Sequence, residues 1–189
     1  MSNYKEAYEL LKKWENRQTK KGLIVYSNIK EDKGGETVLG VARKIHPNMP
    51  IWKEVDKLTE IHGTKDLITL SNAILESKYI TDTVYEFFYK NYWLKSKCDI
   101  IENQTFAENV FLLSVNAGVK RGVKTGQSAC GITADGIIGK NTLSAWRKAG
   151  LKESKRYTEI EIEYYKSLVN KDASQIKFLN GWLKRANAR

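Results

Sequence analysis

Residues 4–40, "YKEAYELLKKWENRQTKKGLIVYSNIKEDKGGETVLG", decide how the chain begins to fold. Tyr4, Tyr8, Leu11 and Glu15 are separated by four, three and four residues, so at 100° per residue they share a narrow stripe of one helix face. A helix here aims a carboxylate where its apolar residues aim. From Asn16 the pattern breaks. Glycines at 22, 34, 35 and 40 oppose a helix, and the stretch to Gly40 reads as a loop with little regular structure. Within it, "KGLIVY" suits a short strand or a hairpin arm.

Beyond this segment the signals are helical. "PNMPIWKEVDKL" holds both prolines of the chain, with Pro50 fit for the first turn of a helix carrying Trp52, Val55 and Leu58. "TKDLITLSNAILESKYI" reads as the next helix. In "TDTVYEFFYKNYW", Thr83 and Glu86 have capping-box spacing. Residues 104–117 read as a largely buried helix stopped by Gly118. In the following "VKRGVKTGQSACGITADGIIGKNTLSAWRKAG", "ADG" and "IIG" are turn signals ahead of a short helix with Leu143 and Trp146, capped by Asn141 or Thr142. Two terminal helices follow, the first with Thr158 and Glu161 as a second capping box. The expected fold is all-α, with a small hairpin near residues 22–30.

Composition narrows the function. No apolar run approaches the roughly 20 residues that span a bilayer, and the N-terminus lacks the apolar core of a secretory signal. A soluble protein without stable membrane insertion is expected, made in the cytoplasm. Cys98 and Cys130 lie far apart with no CxxC, and His46 and His62 lack ligand spacing, so neither a metal site nor a cofactor is expected. The net charge of +10 is uneven: residues 140–189 hold 12 basic and 5 acidic residues against 20 and 17 in residues 1–139. Such a surface favours polyanions, among them nucleic acid and anionic cell wall. The C-terminal charges are dispersed and interrupted by Glu159, Glu161 and Glu163, which argues against a nucleic-acid-reading face.

A carboxyl group on an apolar stripe is partly desolvated, which disfavours its charged form. It can then act as a general acid, the requirement for cleaving a glycosidic bond. The plainer alternative is a glutamate that ends its helix and turns to solvent. Asp32, Gly34, Gly35 and Thr37 have a similar pair of readings. They form either a tight Asx-turn cluster or a loop in which glycines admit a sugar and the polar groups hold it.

"AYELLKKWEN", "YSNIKEDKGGETVLGVARK", "FYKNYWLKSKCDII", "SVNAGVKRGVK", "GITADGIIGKNTLSAW" and "FLNGWLKR" occur in the order and approximate spacing found in glycoside hydrolase family 108, the N-acetylmuramidases also labelled secretion activator proteins. The chain resembles that family along nearly its whole length. The resemblance implies a lysozyme-like helical bundle, with a catalytic portion over 1–103 and a helical peptidoglycan-binding portion over 104–189 packed as one compact unit. It implies hydrolysis of bacterial peptidoglycan between N-acetylmuramic acid and N-acetylglucosamine. A monomer is expected, and the missing signal suits a phage or prophage endolysin released through a holin, or an enzyme exported by another route independent of a signal peptide.

The family's catalytic glutamate opens an E-G-G-Y motif, from which this sequence departs. Aligned back from "DKGGET", the tyrosine falls on Tyr26 and the glutamate position on Leu23. Aligned forward from "AYELLKKWEN", the glutamate is Glu15, with about eight extra residues before Tyr26. Helix phase favours the second alignment, because an insertion in a following loop costs little closure entropy. Asn16 and Arg17 then replace both glycines. The resemblance gives Glu15 as acid, Asp32 or Glu31 as second carboxylate, and Tyr26, Gly34, Gly35, Thr37, Tyr92, Trp93 and Asn116 as substrate contacts. Glu36 is expected to face solvent, and Asp135 and Gly136 either shape their turn or touch the wall. The rival reading is a wall-binding protein with a disabled site.

Overall fold

The computed structural model describes residues 1–28 and 35–188. The described residues include nine α-helices and five short strands. Helix α1 (Tyr4–Glu15) is followed by β1 (Arg17–Thr19), β2 (Gly22–Ile24), β3 (Tyr26–Asn28), β4 (Glu36–Val38) and β5 (Val41–Ala42). Then come α2 (Trp52–His62), α3 (Leu67–Glu76), α4 (Lys78–Phe88), a π-helical turn (Tyr89–Trp93), α5 (Gln104–Ala117), α6 (Val119–Ala129), α7 (Lys140–Lys148), α8 (Leu151–Lys171) and α9 (Ile176–Asn187). The mostly helical expectation holds. The chain divides into two compact units, Tyr8–Phe88 and Met1–Ala7 with Tyr89–Arg189.

In the first unit the expected loop from Asn16 is largely strands. β1 and β2 form a hairpin in which Arg17 pairs with Ile24 and Thr19 with Gly22. The Thr19 hydroxyl accepts from the Lys21 and Gly22 amides and donates to the Gly22 carbonyl, closing the turn. β3, β4 and β5 form a second antiparallel sheet, with Ser27 opposite Thr37. Leu39 and Gly40, the two residues joining β4 to β5, both have positive φ (50° and 83°), the signature of a type I′ hairpin turn. Ser71 of α3 accepts from the Val25 amide at 3.0 Å and ties the strands to the helices. Tyr8, Leu11, Val25, Val38, Leu70, Ile74, Val84 and Phe88 fill the core. The Thr83–Glu86 spacing caps nothing, because α4 starts at Lys78, where the Ser77 hydroxyl accepts from the Ile80 amide.

The second unit is built round Phe106, whose ring meets Trp146 and Tyr157 edge-on at centroid distances of 5.6 and 5.8 Å. Asn103 caps α5 through the Phe106 amide, and Gly118 at φ 89° ends it. Helix α6 has no counterpart in the sequence reading, because Gly122 and Gly126 look like breakers. They serve packing instead: a methyl on Gly122 would stand 2.8 Å from the Val110 carbonyl oxygen, and one on Gly126 2.8 Å from the Trp146 ring. Helix α8 begins seven residues before Thr158, so the expected second capping box also falls inside a helix. The N-terminal bond is made by Glu153, which accepts from the Gly150 amide at 2.9 Å. No helix among the described residues is long and apolar enough to cross a membrane.

Candidate active site

Glu15 is the last residue of α1 and is half-buried. It lines a cleft of about 540 Å³ within the Tyr8–Phe88 unit, together with Arg17, Ile24, Tyr26, Ser27, Asn28, Thr37, Gly40, Thr64 and Leu67. Helix phase puts the glutamate there, and two hairpins put the rest round it. Between the acid and the Val25–Tyr26 segment lie Asn16 and the eight-residue β1–β2 hairpin, residues 17–24, whose open end, the Arg17–Ile24 pair, borders the cleft. On another side the type I′ turn brings the Gly40 backbone against the Glu15 side chain.

Tyr26 and Thr37, both expected substrate contacts, line this cleft with Glu15. The Thr37 hydroxyl donates to the Gly35 carbonyl at 3.3 Å. Tyr26 is nearly enclosed, and its hydroxyl donates to Glu36 Oε1 at 2.9 Å. Burial, then the Glu36 hydrogen bond and charge, push its phenol up to about 12. Gly35 has φ 64°, which glycine tolerates at no steric cost. The space in front of its Cα is filled by the Lys44 side chain, 2.9 Å from where a methyl would sit, and Gly35 is not among the residues that line the cleft. Asp32, Glu31 and Gly34 lie outside the described residues.

Glu36 does not face solvent. Its side chain is 13% exposed, and it accepts from Tyr26 and from Arg43 Nη1 at 2.6 Å. Arg43 in turn makes a two-pronged bond to Asp56, 2.7 Å on each oxygen, and lies over the Trp52 ring at 5.0 Å. The hydrogen bonds from Arg43 hold the Asp56 carboxyl below the usual carboxylate range. This chain of contacts fixes the Tyr26 ring from behind. Sequence reasoning missed it because Glu36, Arg43 and Asp56 are seven and thirteen residues apart and share no periodic signal. Gly40 and Arg17 also escaped it, the first noted only as a helix breaker and the second only as a replaced glycine.

Tyr92, Trp93 and Asn116 belong to the other unit. Trp93 is 1% exposed and packs edge-on against Phe111, so it is a core residue with no face open to a sugar. Tyr92 is half-buried in the π-helical turn. Asn116 is exposed; its amide donates to the Leu112 carbonyl and its oxygen accepts from Arg185, so both polar atoms have partners within the chain. In the "ADGIIGKNT" segment Asp135 and Gly136 are tied into their turn by a buried glutamine. Buried Gln127 donates to Asp135 Oδ1, to the Ile137 carbonyl and to Thr142, and accepts from the Gly136 amide at 2.8 Å. Among the described residues no cluster of histidine, cysteine, aspartate or glutamate is placed to hold a metal ion.

Residues 13–118 match the glycosyl hydrolase 108 family, and residues 121–187 match a family described as a "predicted peptidoglycan domain". The first match spans more than half of the chain, and the protein belongs to the glycosyl hydrolase 108 family. The pair of matches sets its function at the level of glycoside hydrolysis and peptidoglycan binding. The solved structure of Brucella abortus SagA is similar in fold, with a TM-score of 0.58 at 21% identity over 98% of this chain and 94% of that one. No curated protein matches the sequence.

Proposed function

We infer that the chain is an N-acetylmuramidase that cleaves the β-1,4 bond between N-acetylmuramic acid and N-acetylglucosamine, with Glu15 as general acid. One observation carries the reading: within the segment that matches the family, Glu15 ends α1 inside a cleft of ligand size and shares it with Tyr26 and Thr37. A carboxyl so placed delivers a proton to the leaving oxygen while the cleft wall limits water. The second group that glycoside hydrolysis ordinarily needs is assigned to Asp32, which would polarise the attacking water or stabilise the sugar cation. The basic C-terminal segment adds attraction to anionic wall, which weakens as salt rises.

Loss of the two glycines after the acid favours a second reading, a protein that holds peptidoglycan without cutting it. Purified sacculi separate the two. Digestion by the wild type should release fragments with reducing-end muramic acid, visible by mass analysis. Glu15→Gln should lower their release by about 10²–10⁴-fold, the usual worth of a general acid, while sacculus binding persists. Sacculi bound but left intact by the wild type would establish the binding reading; full activity in Glu15→Gln would move the acid elsewhere.

A further inference from the structure

Arg17 and Ile24 face each other across the β1–β2 hairpin, and this cross-strand pair borders the Glu15 cleft. Arg17 stands two residues beyond Glu15 and is exposed. It is the one cation among the described residues lining the cleft, as Glu15 is the one acid. No acid among the described residues forms an ion pair with it. Its planar guanidinium is therefore available to a ligand, in a fork that fits a carboxylate through two parallel N–H bonds. The backbone beneath it is held in place. The Thr19 hydroxyl closes the hairpin, and Gly22 lies against Ile68 of α3, where a methyl would be 3.4 Å from the isoleucine. Little ordering of the strand is then needed when a ligand binds.

We propose that Arg17 is the carboxylate-recognition residue of this cleft. The inference rests on the muramidase reading and deepens it. Of the two alternating sugars, only the muramoyl unit carries a carboxyl-bearing substituent, the lactyl ether on O3. That group is either free or amide-linked to a stem peptide with carboxylates of its own. Seating either carboxylate on Arg17 places the muramoyl unit, rather than its neighbour, in a defined position beside Glu15. Arg17 thus selects which of the two glycosidic linkages meets the acid.

The test measures binding by the full chain carrying Glu15→Gln, so that no ligand is consumed. The probes are a muramoyl tetrasaccharide with free lactyl groups, the same glycan with stem peptides attached, and chitotetraose, which has no carboxylate. Arg17→Ala should weaken one or both muramoyl ligands about tenfold, the loss expected for a charge-assisted pair, and leave chitotetraose within twofold. Arg17→Lys should recover part of the loss, and the difference should shrink at high salt. An effect confined to the free-lactyl glycan assigns the lactyl carboxylate, and one confined to the peptide-bearing glycan assigns the stem. Equal weakening of all three ligands, no weakening of any, or no binding of either muramoyl ligand by the parent overturns the proposal. Failure of the muramidase reading shows separately, as wild-type digests that lack reducing-end muramic acid.

Discussion

The backbone of Gly40 leaves no room beside Glu15: a methyl on the glycine would stand 2.9 Å from the glutamate Cγ and 3.2 Å from both its Cβ and Oε2. The type I′ turn that contains Gly40 therefore acts as a stop against which the carboxylate side chain rests. Leu39, the other turn residue, is held at φ 50°, a region that L residues with bulky side chains seldom occupy. Its amide donates to the Val25 carbonyl at 2.9 Å, and its side chain is buried, which offsets the strain.

Gly40→Ala should displace Glu15 and lower hydrolysis of sacculi by about 10²-fold, the usual effect of a shift near 1 Å in a reacting group. Its cost in stability should be about 1–2 kcal/mol, from the positive φ. Gly63→Ala is the control, since Gly63 has φ 67° at the end of α2 but nothing within 4 Å of the added methyl. It should lower the unfolding free energy by about 1–3 kcal/mol, since φ 67° with ψ 177° is a backbone region nearly confined to glycine, with unchanged turnover. Equal activity losses in the two variants would contradict the contact argument.

Tyr26 links stability to alkaline pH. Its phenol ionises near pH 10.0 in the unfolded chain and at about 12 in the folded one, so the folded state keeps the proton longer. The resulting contribution is complete below pH 10 and is lost as pH rises from 10 through 12. Tyr26→Phe should cost about 1 kcal/mol near neutrality, the worth of one hydrogen bond, and should flatten the decline above pH 10. Urea unfolding at pH 8, 10 and 11 reads both effects. Tyr8 and Tyr92 are raised in the same direction by burial, so the variant keeps a residual slope.

Two helical glycines should respond with opposite signs. Gly122→Ala forces α6 away from α5, because the methyl meets backbone atoms of Val110 and Ser114 at 2.8 and 3.0 Å, and should destabilise by about 1–3 kcal/mol. Gly181→Ala sits in α9 with nothing within 4 Å and should stabilise by about 0.5–1 kcal/mol, the helix-propensity gain. Thermal unfolding distinguishes them.

Gln127→Leu removes the donors and the acceptor that hold the Asp135–Thr142 turn while nearly keeping side-chain volume. The Gly136 amide loses the Gln127 oxygen, whereas the Ile137 carbonyl keeps the Thr142 hydroxyl and the Gly139 amide as donors. A fall of about 1–3 kcal/mol in unfolding free energy is expected, the cost of leaving one such group unsatisfied. Asp135→Asn retains an acceptor for the Gln127 amide and the Ile137 N–H and should cost clearly less.

By itself the sequence determined the helical character of most segments, the position of Glu15 on the apolar side of α1, the stop at Gly118 and the family signatures. Each of these depends on spacing within one or two helical turns, where period and backbone preference act directly. Tertiary structure alone decided the rest. Strands of two or three residues are too short to show a period, so the sheets round the cleft emerged only when chain segments paired. Glycines 122 and 126 lie inside a helix because neighbours distant in sequence need their missing side chains. Glu36 is enclosed by Tyr26 and Arg43, and Trp93 by its own core, because burial belongs to the path of the whole chain and not to the residue type.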